Sequence, residues 1–386
     1  MSKKKICVVV NSRANYGRIK SFLSAVQVHP ELELQLIVGA SAMLYRFGAA
    51  IEIIRKDGFE PVSVVYSIVE GETPSTMAKS TGMGILELAT QFENLKPDLV
   101  LTVADRFETL ATAVAASYMN IPLAHTQGGE LTGSIDESVR HAITKLAHIH
   151  FPATNRAGKI LKQMGENPAS IFVTGCPAID LAADVSKKDC GNLFQKYGGT
   201  GKDLDWDKPF LVVLQHPVTT EYVEAFEQTK QTLAALSRTN MQTAWFWPNV
   251  DAGSDAVSKA LRVFIATNGN APFHFYRNFS PEDYVHLISR CSCIVGNSSS
   301  GIREGSFLGT PCVNIGTRQN QRERCRNVID VEHEADSIYT AIIKQIEHGH
   351  YQPDNLYGNG NAGQKMADIV AKNNIEIVKK FYVYDE

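Results

Sequence analysis

Carboxylates and basic side chains are concentrated in one stretch of the chain, residues 104–148. Asp105 follows a short apolar run at 99–103, and Glu130 lies just beyond a second run at 121–124. Such runs predict buried strands, and open α/β sheets place ligand-binding groups at the carboxyl ends of their strands. Positioned carboxylates can transfer protons, so this stretch is a candidate acid–base site. The alternative is a set of helix caps and surface ion pairs.

A helix is predicted to begin inside the same stretch. Ser134 and Glu137 have the spacing of a capping box, which predicts a helix start at Ser134. Asp136 then falls in the first turn, where the helix dipole favours a carboxylate. Arg106 and Gln127 lie in the same stretch and complete a cluster that we expect at neighbouring strand ends.

Composition limits the classes of protein to consider. The chain has 386 residues, 44% hydrophobic and 20% charged, which suits two globular domains. A net charge of −3 without a basic–aromatic stripe argues against nucleic acid as a partner. The chain has no apolar run of about 20 residues and no apolar leader, so we expect a cytoplasmic protein without a membrane partner. Seven scattered cysteines without a CxxC motif indicate reduced thiols and argue against a metal site; no cofactor is expected.

Short apolar runs alternate with helical patterns along the chain, which predicts an α/β fold with parallel sheets. The first strand, at 6–10, ends in a polar turn carrying Arg13, which is either an anion clamp or a solvated loop arginine. A polar, glycine-rich segment at 187–203 predicts a domain boundary. We therefore expect two Rossmann-like domains, residues 1–186 and 187–386, with a cleft between them.

The second half carries a candidate phosphate site. A strand at 293–296 leads through the small residues 297–301 into a predicted helix at 302–308. Open backbone N–H groups at such a helix start bind anions. Glu304 is placed to reach a ribose, and Arg318 adds positive charge. A diphosphate on this half and carboxylates on the other half fit a sugar nucleotide. Further strands are predicted at residues 32–39, 149–152, 171–174, 210–214, 243–247 and 312–315.

A series of motifs runs through the chain in a fixed order. They are DRF at 105–107, GGE at 128–130, IDESVRHAITKLAH at 135–148, QHPVTT at 215–220, PN at 248–249, GNSS at 296–299, RE at 303–304 and GTRQ at 316–319. In sequence, order and spacing they resemble the hydrolysing UDP-N-acetylglucosamine 2-epimerases. That family makes N-acetylmannosamine for sialic acid synthesis, and related members make precursors of legionaminic-type acids.

The resemblance implies the glycosyltransferase-B architecture, with the last helix, near residues 364–373, crossing back to the first domain. It implies a UDP-sugar substrate and a homo-oligomer, a dimer or tetramer. In the implied reaction a base removes the C2 proton while the C1–O bond to UDP breaks. Water then adds to the resulting glycal and gives the free 2-epimeric sugar.

Matching positions carry the family's site residues onto this chain. The catalytic set is Asp105, Glu130, Asp136 and His216. The substrate-binding set is Arg13, Arg106, Gln127, Asn249, Phe279, Ser298, Ser299, Glu304 and Arg318. In this assignment His216 contacts the diphosphate or assists as an acid, Glu304 binds the ribose, and Asn249 and the Phe279 backbone lie near the uridine.

The sequence departs from the family pattern at positions in the first half, which is expected to bind the sugar. Gln127 replaces a glutamate that is a candidate base in many members, so the base is left open among Asp105, Glu130 and Asp136. A common Gly-x-His is also missing at residues 39–42. The expected reaction is the hydrolysing epimerisation of UDP-N-acetylglucosamine to UDP and N-acetylmannosamine. These departures leave open the same reaction on a different sugar, such as UDP-2,4-diacetamido-2,4,6-trideoxyglucose. The alternatives are a reversible non-hydrolysing epimerase, a glycosyltransferase and a catalytically inactive sugar-nucleotide sensor.

Overall fold

The computed structural model describes residues 2–185 and 190–384. These residues form two parallel sheets, each covered by helices on both faces. The predicted boundary between residues 186 and 187 lies outside the described residues and stays a prediction. We refer below to residues 2–185 as the N-terminal half and to residues 190–384 as the C-terminal half. Among the described helices, none is long and apolar enough to span a membrane.

The inner strands of the first sheet are apolar runs that are buried along most or all of their length. Its strands are β1 (Lys4–Val10), β2 (Leu32–Gly39), β3 (Ser63–Val65), β4 (Leu99–Val103), β5 (Leu123–Thr126) and β6 (Ile149–Phe151). They pair in parallel in the order β3-β2-β1-β4-β5-β6. The order reverses between β1 and β4, and a ligand crevice is expected at the carboxyl ends of those two strands.

Helices cover both faces of the first sheet. They are α1 (Arg13–Gly17), α2 (Lys20–Val28), α3 (Ala50–Lys56), α4 (Pro74–Leu95), α5 (Phe107–Tyr118), α6 (Asp136–Leu146), α7 (Asn155–Gln163) and α8 (Pro177–Val185). Phe22 of α2 packs into the core on one face, and Phe92 of α4 packs into the core on the other. Because both faces are buried, the strands are continuously apolar and the polar residues collect at their ends.

The second sheet repeats this plan. Its strands are β7 (Gly199–Gly201), β8 (Phe210–Leu214), β9 (Gln242–Phe246), β10 (Phe273–Tyr276), β11 (Cys293–Gly296), β12 (Cys312–Ile315) and β13 (Val328–Val331). They lie in the order β13-β12-β11-β8-β9-β10-β7, and β7 alone runs antiparallel to its described neighbour. Here the order reverses between β8 and β11.

The C-terminal half contributes a further series of helices. They are α9 (Leu193–Lys196), α10 (Ala225–Thr239), α11 (Ser254–Thr267), α12 (Pro281–Arg290), α13 (Ser299–Ile302), α14 (Glu304–Leu308), α15 (Ala335–His348) and α16 (Ala362–Lys372). The last helix, α16, packs on α2 and places Met366 and Val370 in the core of the N-terminal half.

Three local predictions from the sequence were wrong. At 171–174 only Ile171 pairs with the sheet, through an isolated bridge to His150. The capping box at Ser134 is absent because the Glu137 carboxylate accepts from Thr132 instead, and α6 begins at Asp136. The predicted helix at 302–308 is interrupted at Arg303, whose backbone separates α13 from α14.

Candidate active site

Two adjoining cavities lie in the cleft between the halves. The first, the serine cavity, spans about 780 Å³ of space between atoms, part of which is open to solvent. The second, the carboxylate cavity, spans about 530 Å³ measured in the same way. They share Ala14, Arg18, His216, Asn249, Ser298 and Ser299. The shared residues of the N-terminal half follow β1. Those of the C-terminal half follow β8, β9 and β11, so both cavities lie at the reversal points of the two sheets. One elongated ligand can therefore occupy both cavities.

Asp105 lies in the carboxylate cavity at the end of β4, bound to a buried arginine. Arg140 Nε donates to Asp105 Oδ2 at 3.1 Å, and Arg140 Nη2 makes a second contact with the same oxygen. Burial alone would raise the pKa of Asp105, but the positive charges of Arg140 and Arg18 outweigh it and hold that pKa far below its usual range. Asp105 is therefore an ionised partner of Arg140.

Glu130 is likewise bound by arginines. Its Oε2 lies 2.5 Å from Arg303 Nη2 and 2.5 Å from Arg322 Nη1, both on the C-terminal half. Burial would raise the pKa of Glu130, but these two charges hold it below its usual value. The residue lines neither cleft cavity. It joins the two halves beneath the cleft.

Asp136 differs from the other two carboxylates. It lines the carboxylate cavity from the first turn of α6. Within the described residues its carboxyl group has no hydrogen bond and no ion pair. Burial, reinforced by the nearby charge of Asp105, raises the pKa of Asp136 to about 6. A carboxyl group with this pKa is suited to accept a proton near neutral pH.

Arg106 follows Asp105 and connects the halves. Its guanidinium binds Glu108 at 3.1 Å in its own half and Asp251 at 3.0 Å in the C-terminal half. Burial would lower the pKa of Arg106, but the two carboxylates raise it above its usual value. Its charge is thus compensated from both sides of the cleft.

His216 follows β8 and is held by backbone contacts. Its N–H donates to Asn297 Oδ1 at 2.8 Å, and Asn297 Nδ2 donates to its carbonyl at 2.7 Å. The Asn249 N–H points at His216 Nδ1 at 3.4 Å, an arrangement that fits the tautomer protonated on Nε2. Burial and neighbouring arginines, Arg318 foremost, hold the pKa of His216 well below its usual value. It is a neutral imidazole with a proton to donate in a hydrogen bond.

Three further arginines reach the cleft with neutral partners only. Arg13 donates to the Arg277 carbonyl at 2.5 Å and to Asn249 Oδ1 at 3.2 Å. Arg18 donates to Ser299 Oγ at 2.6 Å, and Arg318 donates to the Asn297 carbonyl at 3.1 Å. Within the described ranges none of these three arginines has a carboxylate at ion-pair distance. Their uncompensated charge suits an anionic ligand.

The serine cavity is lined in part by small and aromatic side chains. Ser298 caps α13, and its Oγ lies 2.9 Å from Ser300 Oγ. Phe279 is buried in the wall and stacks on Tyr197, with ring centroids 3.9 Å apart. Glu304 lines the same cavity, and its buried Oε2 has no hydrogen-bond partner among the described residues. Burial raises the pKa of Glu304.

Gln127 lies behind the cleft rather than in its lining. Its Nε2 donates to Cys176 Sγ at 3.1 Å, and its buried Oε1 has no partner within the described residues. The backbone of Gln127 has a φ of +62°, a left-handed conformation that non-glycine residues adopt only rarely. Of the residues selected from the sequence, Gln127 and Glu130 are outside both cavities, and the others line one or both of them.

Sequence reasoning missed several functional candidates. Arg18, Asp251 and Arg322 were not selected from the sequence, and Arg303 was quoted only as part of the RE motif at 303–304, without a role. Asp251 stands two residues after Asn249, which was selected, so its spacing from a strand end was a usable signal. The ion pairs of Arg303 and Arg322 with Glu130 gave no such signal, because the partners are 173 and 192 positions apart in sequence.

No group of His, Cys, Asp and Glu side chains in the described part of the chain has the arrangement of a metal site. Six cysteines are free thiols, most of them buried; they are Cys7, Cys176, Cys291, Cys293, Cys312 and Cys325.

Comparisons with known proteins agree with this geometry. The family model for UDP-N-acetylglucosamine 2-epimerase matches residues 24–371. A UDP-N,N'-diacetylbacillosamine 2-epimerase (hydrolyzing) from Legionella pneumophila is 32% identical over 369 residues, 95% of each chain. A UDP-N-acetylglucosamine 2-epimerase from Neisseria meningitidis is 29% identical over 370 residues, again 95% of each chain.

A solved structure confirms the fold. The UDP-GlcNAc 2-epimerase of Methanocaldococcus jannaschii, crystallised with UDP-GlcNAc and UDP, superposes with a TM-score of 0.79 at 17% identity. The match covers 96% of this chain and 100% of that one. The two Rossmann-like halves and the cleft of the glycosyltransferase-B architecture are as the sequence predicted. The chain belongs to the UDP-N-acetylglucosamine 2-epimerase family, whose members act on UDP-sugars.

Proposed function

We propose that this protein is a hydrolysing UDP-sugar 2-epimerase, which releases UDP and a free 2-epimeric sugar. One observation supports this most strongly: the charged groups of the cleft that have no charged partner among residues 2–185 and 190–384 are those that a UDP-sugar needs. They are Arg13, Arg18 and Arg318 for the diphosphate, Glu304 for the ribose and Asp136 for the sugar. The other cleft charges compensate one another.

Asp136 is the base in this proposal. Asp105 and Glu130 are each bound to arginines that depress their pKa values, whereas the carboxyl of Asp136 is unpaired and has a pKa of about 6. It takes the C2 proton, and the C–H electron pair forms the C1=C2 double bond. The electron pair of the C1–O bond leaves with UDP. Asp105 supports this step by keeping Arg140 in place and by raising the pKa of Asp136.

The departing diphosphate gains charge as this bond breaks. Arg18, Arg318 and Arg13 supply positive charge where that negative charge develops, which lowers the barrier. The neutral His216 donates its Nε2–H to the same group in this proposal, as a hydrogen-bond donor rather than a cationic acid. Water then adds its hydroxyl to C1 and a proton to C2 from the opposite face, and the product is the 2-epimeric free sugar.

The proposed substrate is UDP-N,N'-diacetylbacillosamine, the 2,4-diacetamido-2,4,6-trideoxyglucose nucleotide that the sequence left as the alternative sugar. The Legionella pneumophila relative, a hydrolysing 2-epimerase of this sugar nucleotide, supports it. The second candidate is UDP-N-acetylglucosamine, yielding N-acetylmannosamine for sialic-type acid synthesis, and the Neisseria meningitidis relative favours it. The predicted homo-oligomer stays a prediction.

The test uses the purified protein with each nucleotide sugar separately in deuterated water, followed by proton NMR. A hydrolysing epimerase gives free UDP and a free 2-epimeric sugar that carries deuterium at C2. A UDP-linked 2-epimer without free UDP would identify the non-hydrolysing reaction. No turnover of either sugar without an acceptor would point to a glycosyltransferase or an inactive sensor, and either result overturns the proposal.

A further inference from the structure

Asp251 belongs to the C-terminal half but forms an ion pair with Arg106 of the N-terminal half. It lies in the segment between β9 and α11 and binds Arg106 Nη1 at 3.0 Å. The side chains of Arg106 and Asp251 are 7% and 11% exposed, so this ion pair is largely removed from solvent. A buried charge pair with good geometry fixes the positions of both partners.

The same segment makes a second contact across the cleft. Asn249 Oδ1 accepts from Arg13 Nη2 at 3.2 Å. Residues 249–251 therefore contact the loop after β1 and the loop after β4, the two loops that flank the reversal point of the first sheet. Glu108, the other partner of Arg106, is in the same half as Arg106 and stays beside it at any separation of the halves. Only the contact with Asp251 depends on how the halves meet.

We propose that Asp251 is a positioning residue for the epimerase reaction: it fixes Arg106 beside Asp136 when the two halves enclose the substrate. This inference rests on the proposed function, because it takes Asp136 as the base. Asp251 acts through Arg106 and has no contact of its own with the sugar in this proposal.

The charges around Asp136 give the pairing a chemical role. Arg106 and Asp136 line the same cavity. An uncompensated guanidinium there would favour the ionised carboxylate and make it a weaker base. Asp251 offsets that charge and raises the pKa of Asp136 directly. The charged groups that face Asp136 are Asp105 and Arg106 after β4, Arg140 on α6, and Asp251 and Arg318 from the C-terminal half.

A neighbouring ion pair offers a matched control. Asp255, in the first turn of α11, lies 3.8 Å from Arg46 across the same junction between the halves. Its side chain is 67% exposed, and exposed pairs contribute little. Asp255→Asn therefore repeats the chemical change of Asp251→Asn four positions along the chain without altering Arg106.

The experiment compares the pH dependence of kcat/KM for wild type, Asp251→Asn, Asp251→Glu and Asp255→Asn. We expect Asp251→Asn to move the acid limb to lower pH and to reduce kcat by up to about 100-fold, the scale of a small misplacement. Asp251→Glu keeps the charge and should keep the limb while losing part of kcat. Asp255→Asn should keep the limb and retain kcat within about twofold.

An acid limb for Asp251→Asn that coincides with the wild-type limb would overturn the proposal, and so would an equal shift in Asp255→Asn. If Asp251→Asn does not fold, a shifted limb in Asp251→Glu overturns it instead. Failure of the proposed function has a different signature, because the wild type would then release no UDP and no free sugar.

Discussion

Arg18 of the N-terminal half donates a 2.6 Å hydrogen bond to Ser299 Oγ of the C-terminal half. Arg18 has no carboxylate at ion-pair distance within the described residues. Among those residues, its positive charge is therefore paired only with the neutral hydroxyl of Ser299. The guanidinium of Arg18 therefore lies at the segment between β11 and α13, where the proposed diphosphate binds. In the proposed complex, phosphate binding is shared between the halves, and UDP itself should favour their closed arrangement.

Arg18→Met keeps the apolar stem and removes this charge. UDP binding should weaken by about 1.5–3 kcal/mol, the usual value of a hydrogen bond to a charged group. Calorimetry with UDP alone measures the change, and Arg262→Met, at an exposed position on α11, is the control. Equal UDP affinity in wild type and Arg18→Met would remove Arg18 from the diphosphate site.

Asp136→Asn and Asp105→Asn should both lower turnover but should change stability in opposite directions. Each rate should fall by roughly two to four orders of magnitude, because one variant loses the base and the other loses the anion that positions Arg140. Asp105→Asn leaves the Arg140 charge buried and unpaired, which costs about 3–5 kcal/mol. Asp136→Asn removes an unpaired carboxylate and should raise Tm at pH 7.

The sign of the second effect follows from the pKa of Asp136. It is raised from 3.8 to about 6 in the folded protein, so the folded state binds the extra proton between these values. Stability from this group is therefore lost as pH rises through about 6. The stabilisation by Asp136→Asn should appear at pH 7 and shrink at pH 5, whereas Asp207→Asn, at an exposed site, should leave Tm unchanged at both.

The pH profile of the reaction should report the same group. Because the base must be ionised, kcat/KM should rise with pH through about 6, the pKa of Asp136. His216 should not contribute to this limb, since its pKa is held well below the usual value. The limb should therefore persist in the residual activity of His216→Asn. A limb that moves or disappears in that variant would identify His216 as the titrating group.

The backbone of Gly133 lies directly against the C-terminal half. Its N–H donates to the Arg318 carbonyl at 3.2 Å, and an added Cβ would lie 1.9 Å from the Thr317 carbonyl oxygen. Gly133→Ala should force the loops apart and lower kcat/KM by up to about 100-fold. Gly82→Ala is the control, since nothing lies within 4 Å of its added Cβ. Full activity in Gly133→Ala would mean that catalysis does not need this contact.

The sequence by itself determined the parallel sheets and the location of the candidate site. Apolar runs are buried on both faces of a parallel sheet, so polar residues such as Asp105 and His216 must collect at the strand ends. The family motifs then assigned roles to those residues. The sequence did not predict which of several possible hydrogen-bond partners a side chain chooses. The Glu137 carboxylate accepts from the Thr132 N–H instead of forming the predicted capping box with Ser134.

Only the tertiary structure decided which carboxylate is left free to act as a base. Asp105 is bound by Arg140, 35 positions away in sequence, and Glu130 by Arg303 and Arg322, 173 and 192 positions away. Such pairs form where separate elements meet, and no spacing along the chain encodes them. The depressed pKa values of Asp105 and Glu130, and the raised pKa of Asp136, are consequences of that folded arrangement.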